Sequence, residues 1–110
     1  MPEVAVAFSC AVVARREAVH VCPVGELDLS TTPHVDARLA ELHLAGFDQI
    51  VLDARSVTFI DSGGVRLMLR WSRRASEEGF DFSVLGGEGV VPRVLALTGA
   101  EPHLHFLQHG

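Results

Sequence analysis

Lysine and tyrosine are absent from this chain, and all nine basic side chains are arginines. Arginine without lysine is the mark of GC-rich coding and carries no chemistry of its own. Acidic residues outnumber basic ones, for a net charge of −5. A nucleic-acid-binding face needs a basic surplus, so no nucleic-acid partner is expected. No run approaches the roughly 20 apolar residues of a membrane span, and no basic segment precedes the first apolar stretch, as a secretory signal requires. The expectation is a cytoplasmic protein with no membrane partner.

Cysteine is scarce too. Cys10 and Cys22 are too few for a disulfide scaffold and too far apart for a CxxC redox or zinc pair. A hairpin turning at Arg16 would set them directly opposite each other, either as two reduced, half-buried thiols or as a redox-sensitive cross-strand pair. The Gly-x-Ser-x-Gly elbow of a hydrolase is missing, since Ile60 stands two residues before Ser62. His20, His34 and His43 have no spacing diagnostic of a general base, so no catalytic residue is assigned and no enzyme is expected. Repeats, linkers and low-complexity segments are lacking as well.

What is present is the composition of one folded unit. At 110 residues, 48% apolar and 21% charged, the chain has room for a single domain over residues 1–110 with one modest core. Val4 to Val13 and Val19 to Val24 have strand character around the polar turn Ala14–Ala18, which predicts a hairpin. Pro23 cannot donate a ladder hydrogen bond and belongs near a strand end or bulge. Thr32 as N-cap and Pro33 at the first helical position open a helix, with Val35, Leu39 and Leu42 as its buried stripe and Gly46 as its stop. Phe47 to Ala54 reads as a buried strand, and residues 55–60 as a connection. A second helix runs to about Glu78. Phe80 to Leu85 gives another strand, Gly86–Gly89 a turn, Val90 to Leu97 a short helix, and Leu104 to Leu107 a last edge strand. This order predicts an α/β fold: a mixed β-sheet, an N-terminal hairpin and then alternating helices and strands, with the helices packed mainly on one face.

The chain is organised around Thr58-Phe-Ile-Asp-Ser-Gly-Gly-Val65. A strand that ends in Asp-Ser-Gly-Gly leaves a hydroxyl at a helix N-terminus, where free N–H groups and the helix dipole favour negative charge. Ser62 is therefore placed to carry a phosphate, and Gly63 and Gly64 bring no side chains that would block a second protein. Asp61 has two roles open to it: N-cap of the helix or orienting group for the hydroxyl. Asp28 is either a second orienting carboxylate or a loop acid satisfying local N–H groups. On the helix itself Arg66, Arg70, Arg73 and Arg74 lie within about 100° of one another. Glu77 is at pairing distance from Arg73 and Arg74. This stripe is either a solvated face or a surface that meets an acidic partner or a phosphate on Ser62. His103 and His105 would share one strand face as two metal ligands with His109 beyond. Third and fourth ligands are not evident, so no metal or other cofactor is expected.

Three motifs in order carry a resemblance: Gly25-Glu-Leu-Asp-Leu29, then Val51-Leu-Asp with Phe59-Ile-Asp-Ser-Gly-Gly64, then Arg93-Val-Leu-Ala-Leu-Thr-Gly99. From about Val19 to the C-terminus the chain resembles the STAS domain, and more narrowly the bacterial anti-sigma factor antagonists. The resemblance implies a STAS-like sheet and a partner switch. In that family the unmodified domain docks by the serine-bearing helix end onto an anti-sigma factor that is also a serine kinase, and the sigma factor is freed. Phosphorylation of the serine breaks the complex, and a serine phosphatase resets it. Carried onto this chain, the phosphoacceptor is Ser62, the docking surface is Asp28, Asp61, Ser62, Gly63, Gly64 and Arg66, and Asp28 matches the family's acidic residue near the serine. Gly63 departs from the second hydroxyl residue usual there, and Arg66 from a glycine. The alternative is a STAS ligand-binding or scaffold module in a larger, membrane-transport or lipid-pathway assembly.

Overall fold

Strand β2 (Val19–Leu27) alternates strictly between buried and less buried residues, the period of a strand with one covered face. Val19, Val21 and Leu27 point into the core, while His20 and Cys22 point to the other side. The computed structural model describes residues 7–107, and β2 lies at the centre of its six-stranded sheet. Strand β1 (Ser9–Ala14) pairs with it antiparallel, while β3 (Gln49–Asp53) and β4 (Val57–Ile60) pair with it parallel along its earlier and later parts. Strand β5 (Asp81–Leu85) continues the sheet from β3, and β6 (Phe106–Leu107) adds two residues at the far edge. Helices α1 (Thr32–Leu44), α2 (Ser62–Glu78) and α3 (Val90–Thr98) fill the crossovers.

The three helices bury their stripes in one cluster with Val19, Val21, Ile50, Leu52, Phe82 and Val84, which all belong to one face of the sheet. The mixed sheet with helices on one side is the architecture expected from the residue pattern. Trp71 is the largest fully buried side chain. Its indole N–H donates to Asp36 Oδ1 at 2.8 Å, so α2 is bonded to α1 at the point where the ring enters the core.

Several boundaries differ from the sequence reading. Residues 57–60 form strand β4, where a connection was expected, because the second half of β2 offers them a free ladder. Pro23 sits inside β2, opposite Cys10 of β1 on one side and, on the other, between the last β3 pairing at Val21 and the first β4 pairing at Gly25, so neither the β3 nor the β4 ladder requires its missing N–H. The N-cap of α1 is Thr31 instead of Thr32, and its hydroxyl donates to Glu26 O at 2.7 Å. The hairpin closes with Arg15 N donating to Ala18 O, which aligns Cys10 with Pro23 and Cys22 with Ala11. A one-residue slip from the expected register puts the two thiols on opposite faces of the sheet. A cross-strand pair is thereby ruled out. Burial raises the pKa of both thiols. Val4 to Val6 of the expected first strand lie outside the described residues.

Candidate functional site

The turn from β4 into α2 is built by Asp61. Its backbone is extended, with φ −102° and ψ −175°, and Oδ1 accepts a hydrogen bond from Gly64 N at 3.1 Å. The carboxylate is thus an N-cap. Its second oxygen accepts from Leu29 N at 3.2 Å, and its own N–H donates to Leu27 O at 3.2 Å. One residue therefore holds the β2–α1 loop against the start of α2. Of the four N–H groups that a helix start leaves without intrahelical acceptors, those of Asp61 and Gly64 are used, which leaves Ser62 N and Gly63 N.

Ser62 is the first residue of α2 and is exposed. Among the described residues no side chain forms a hydrogen bond with its hydroxyl. Asp28 is engaged locally. Its Oδ1 accepts from Ser30 Oγ at 2.7 Å, Ser30 N at 2.9 Å and Thr31 N at 3.2 Å. The Ser30 hydroxyl bond is the main reason its pKa falls below the ordinary value. Asp28 therefore shapes the loop that presents Leu29, and among the described residues its hydrogen bonds are to Ser30 and Thr31 and not to Ser62.

The two glycines differ in role. A Cβ on Gly63 would lie 3.1 Å from Asp61 Oδ1, against the cap. One on Gly64 would come within 2.6 Å of Ile60 Cγ1 and 3.1 Å of Leu27 Cγ. Gly64 is buried and faces the core, so the expectation that it leaves room for a docking protein is corrected: it leaves room for Ile60 and Leu27.

The arginine stripe divides. Arg70 Nη2 reaches Asp36 Oδ1 at 3.3 Å, and Arg74 lies over Trp71 while donating to Glu78 Oε2 at 2.7 Å. Glu78 thus takes the place expected of Glu77. Arg66 and Arg73 are exposed and form no ion pair among the described residues. Arg66 is the one that belongs to the serine end of the helix.

Two further exposed apolar residues belong to the segments that meet at Asp61, and the sequence reading did not single them out. Leu29 is 81% exposed and held by its N–H to Asp61, and Phe59 on β4 is 46% exposed. An apolar residue in the otherwise polar loop Asp28–Thr32 was the available signal for Leu29. Phe59 could be found only by knowing that residues 57–60 form a strand. The histidines do not assemble. His103 closes a 3₁₀ turn (Glu101–His103) and His105 precedes β6, its Nδ1 3.0 Å from Ser83 Oγ, so the expected shared strand face does not form. His109 lies outside the described residues. Groups of three or more potential metal ligands are absent among the described residues.

Known proteins resemble this chain in sequence and in fold. An anti-sigma-B factor antagonist of Staphylococcus aureus (strain NCTC 8325 / PS 47) is 25% identical over 81 residues, covering 74% of this chain and 75% of that protein. An anti-sigma factor antagonist from Mycobacterium paratuberculosis superposes with a TM-score of 0.76 at 19% identity, over 94% of this chain and 90% of that one. The anti-sigma factor antagonist SpoIIAA in its unphosphorylated form gives 0.73 at 23% identity, over 94% and 89%. Its phosphorylated form, from Bacillus, gives 0.69 at 22% identity, over 94% and 92%. These structural likenesses show a common fold. The family model described as "Mlab, STAS domain" matches residues 10–107, nearly all of the described chain, and the protein therefore belongs to the STAS domain family.

Proposed function

We propose that this STAS domain is an anti-sigma factor antagonist whose grip on an anti-sigma factor is switched by phosphorylation of Ser62. The observation that carries the reading is the exposed Ser62 hydroxyl at the start of α2, beside two N–H groups without intrahelical acceptors and next to the Asp61 cap that also holds the exposed Leu29. The names of the relatives and the two phosphorylation states of SpoIIAA support it.

The unmodified end of α2, with Leu29, Phe59, Gly63 and Arg66 around the serine, docks onto an anti-sigma factor that is also a serine kinase. Asp61 orients this surface by capping the helix and fixing Leu29, and Asp28 does so by shaping the loop. The chain itself is a substrate and a ligand, with no catalytic role. A phosphate adds about −1.5 to −2 charges and three acceptor oxygens. The free domain tolerates it at a helix N-terminus with Arg66 one turn along. The interface does not, because a hydrated dianion meets a surface fitted to a small hydroxyl and apolar neighbours. A loss of about 3 kcal/mol there weakens binding more than about a hundredfold. A serine phosphatase restores the binding form, and the exchange takes place in the cytoplasm.

Intact mass before and after incubation with the cognate kinase and ATP tests the modification. Ser62→Ala is expected to retain the partner and take up no phosphate. Ser62→Asp is expected to release the partner. Undiminished phosphate on Ser62→Ala would remove Ser62 from the mechanism.

A second reading follows from the family model's own description and from Arg66, where the antagonists tend to have glycine. In it the domain is a scaffold or ligand-binding module of a membrane-transport or lipid-pathway assembly. Affinity purification from the native cell separates the two, by whether a kinase-domain protein or a membrane transport complex is recovered.

A further inference from the structure

On the side of the sheet to which His20 points, away from the helices, a cavity of about 570 Å³ opens beside the β1–β2 turn. Arg15, Arg16, Glu17 and Ala18 of that turn line it, together with His20 of β2 and Arg55 from the connection between β3 and β4. Three of the nine arginines of an acidic chain thus border one opening, and Glu17 is the one acidic residue in its lining.

The protein does not neutralise these cations. Arg15 and Arg16 are exposed and form no ion pair among the described residues. Arg55 is paired in a way that fixes it. Its Nε and Nη2 donate to Asp53 at 3.0 and 2.8 Å, which leaves Nη1 without an acceptor among the described residues. Its stem is seated as well, since a Cβ on Gly87 would lie 3.0 Å from Arg55 Cγ. His20 registers the surplus of charge. Burial first, then Arg15 and Arg55, hold its pKa below the ordinary value, and only Asp53 pulls the other way. The ring is therefore neutral at pH 7, and the cavity is a concentration of positive charge that draws an anion.

We propose that this cavity binds a small organic phosphate ester, its phosphate held by Arg15, Arg16 and Arg55. A carboxylate has two oxygens and satisfies one guanidinium fork, whereas a phosphate monoester offers three terminal oxygens to three guanidiniums. A bare ion would leave most of the space empty, because pockets of about 300–1,000 Å³ are those of whole small ligands. Ala18 and the arginine stems supply apolar wall for the organic part. The turn lies before the start of β2, and α2 begins after Ile60, which pairs with the last residue of β2. The cavity therefore stands apart from Ser62, whatever that serine does.

The test titrates the full ¹⁵N-labelled chain with phenyl phosphate at fixed ionic strength, beside inorganic phosphate, benzoate and a phosphoserine hexapeptide. Phenyl phosphate is expected to give saturable shifts at the amides of Arg15–Ala18 and at the His20 ring. It should also raise the His20 titration midpoint, because a bound anion stabilises the imidazolium. Arg15→Gln and Arg16→Gln should each weaken binding about tenfold, the worth of one charge-assisted hydrogen bond. Glu17→Gln should tighten it by removing a like charge. The proposal is overturned if the shifts do not saturate, if both arginine variants bind as the natural chain does, or if benzoate binds equally well. Equal binding of inorganic phosphate would overturn it by making the bare ion sufficient. Tighter binding of the phosphopeptide would overturn it by making a protein segment the occupant.

Discussion

Gly64 shows how one missing methyl decides both stability and the geometry of the serine turn. Its position allows Ile60 and Leu27 to close over the first turn of α2, where a Cβ would sit 2.6 Å from Ile60 Cγ1. Gly64→Ala is therefore expected to cost about 1–3 kcal/mol by overpacking, read as a lower urea midpoint. It should also disturb the amide signals of Leu29 and Ser62, since the cap hydrogen bond comes from the same residue. A midpoint equal to that of the natural chain would show that Ile60 moves aside freely. At this scale the sequence was legible in part. Asp61 could be read as a cap because Asp before a helix leaves few other roles, and the structure makes it one. The inward direction of Gly64 could not be read, because glycine looks the same whether it opens a surface or admits a neighbouring side chain.

At the scale of elements, the end of β3 carries a local ion pair. Asp53 at the end of β3 receives Arg55 Nε at 3.0 Å on Oδ1 and Arg55 Nη2 at 2.8 Å on Oδ2. Burial alone would raise the Asp53 pKa, but the bonds and charge of Arg55 outweigh it and hold the carboxyl below its ordinary value. A carboxyl whose pKa is lower folded than unfolded adds stability that is complete above the unfolded value, near pH 4, and is lost as pH falls through the folded one. Arg55→Met is expected to lower stability at neutral pH by about 1–2 kcal/mol, given the partial exposure of the pair. It should also flatten the decline in urea midpoint between about pH 5 and pH 3. Parallel declines in the two proteins would show that this pair carries no part of the acid sensitivity. Elements also mark where pattern reading succeeds. Helix α2 was readable from end to end because amphipathic spacing, the Asp cap and the Gly79 stop agree. Strand β4 was not, because four residues without alternation become a strand only when β2 offers them a ladder. The cysteine register failed for a related reason, since hairpin alignment depends on how the turn closes.

For the whole molecule, the proposed switch requires that phosphorylation leave the fold alone. Helices α1 and α2 are bonded through Asp36 and Trp71 well inside the helices, away from Ser62. A phosphate on the α2 N-terminus gains from the helix dipole, typically about 0.3–1 kcal/mol. The phosphorylated domain is thus expected to melt at the same temperature as the unmodified one or a few degrees above it, with an unchanged near-ultraviolet spectrum. A clear fall in melting temperature would mean that the switch acts by loosening the domain itself, and not by spoiling an interface.

What the sequence determined by itself was whatever depends on neighbours along the chain: the helix stripes, the caps and stops, the buried runs, and the placing of a serine where a strand gives way to a helix. Tertiary structure decided what depends on neighbours across it. It set the register that separates Cys10 from Cys22, the strand made from residues 57–60, the inward face of Gly64, and the exposure of Leu29 and Phe59. Local patterns record which way a side chain must face relative to its own backbone, whereas contact partners are settled only when separate elements compete for the same core.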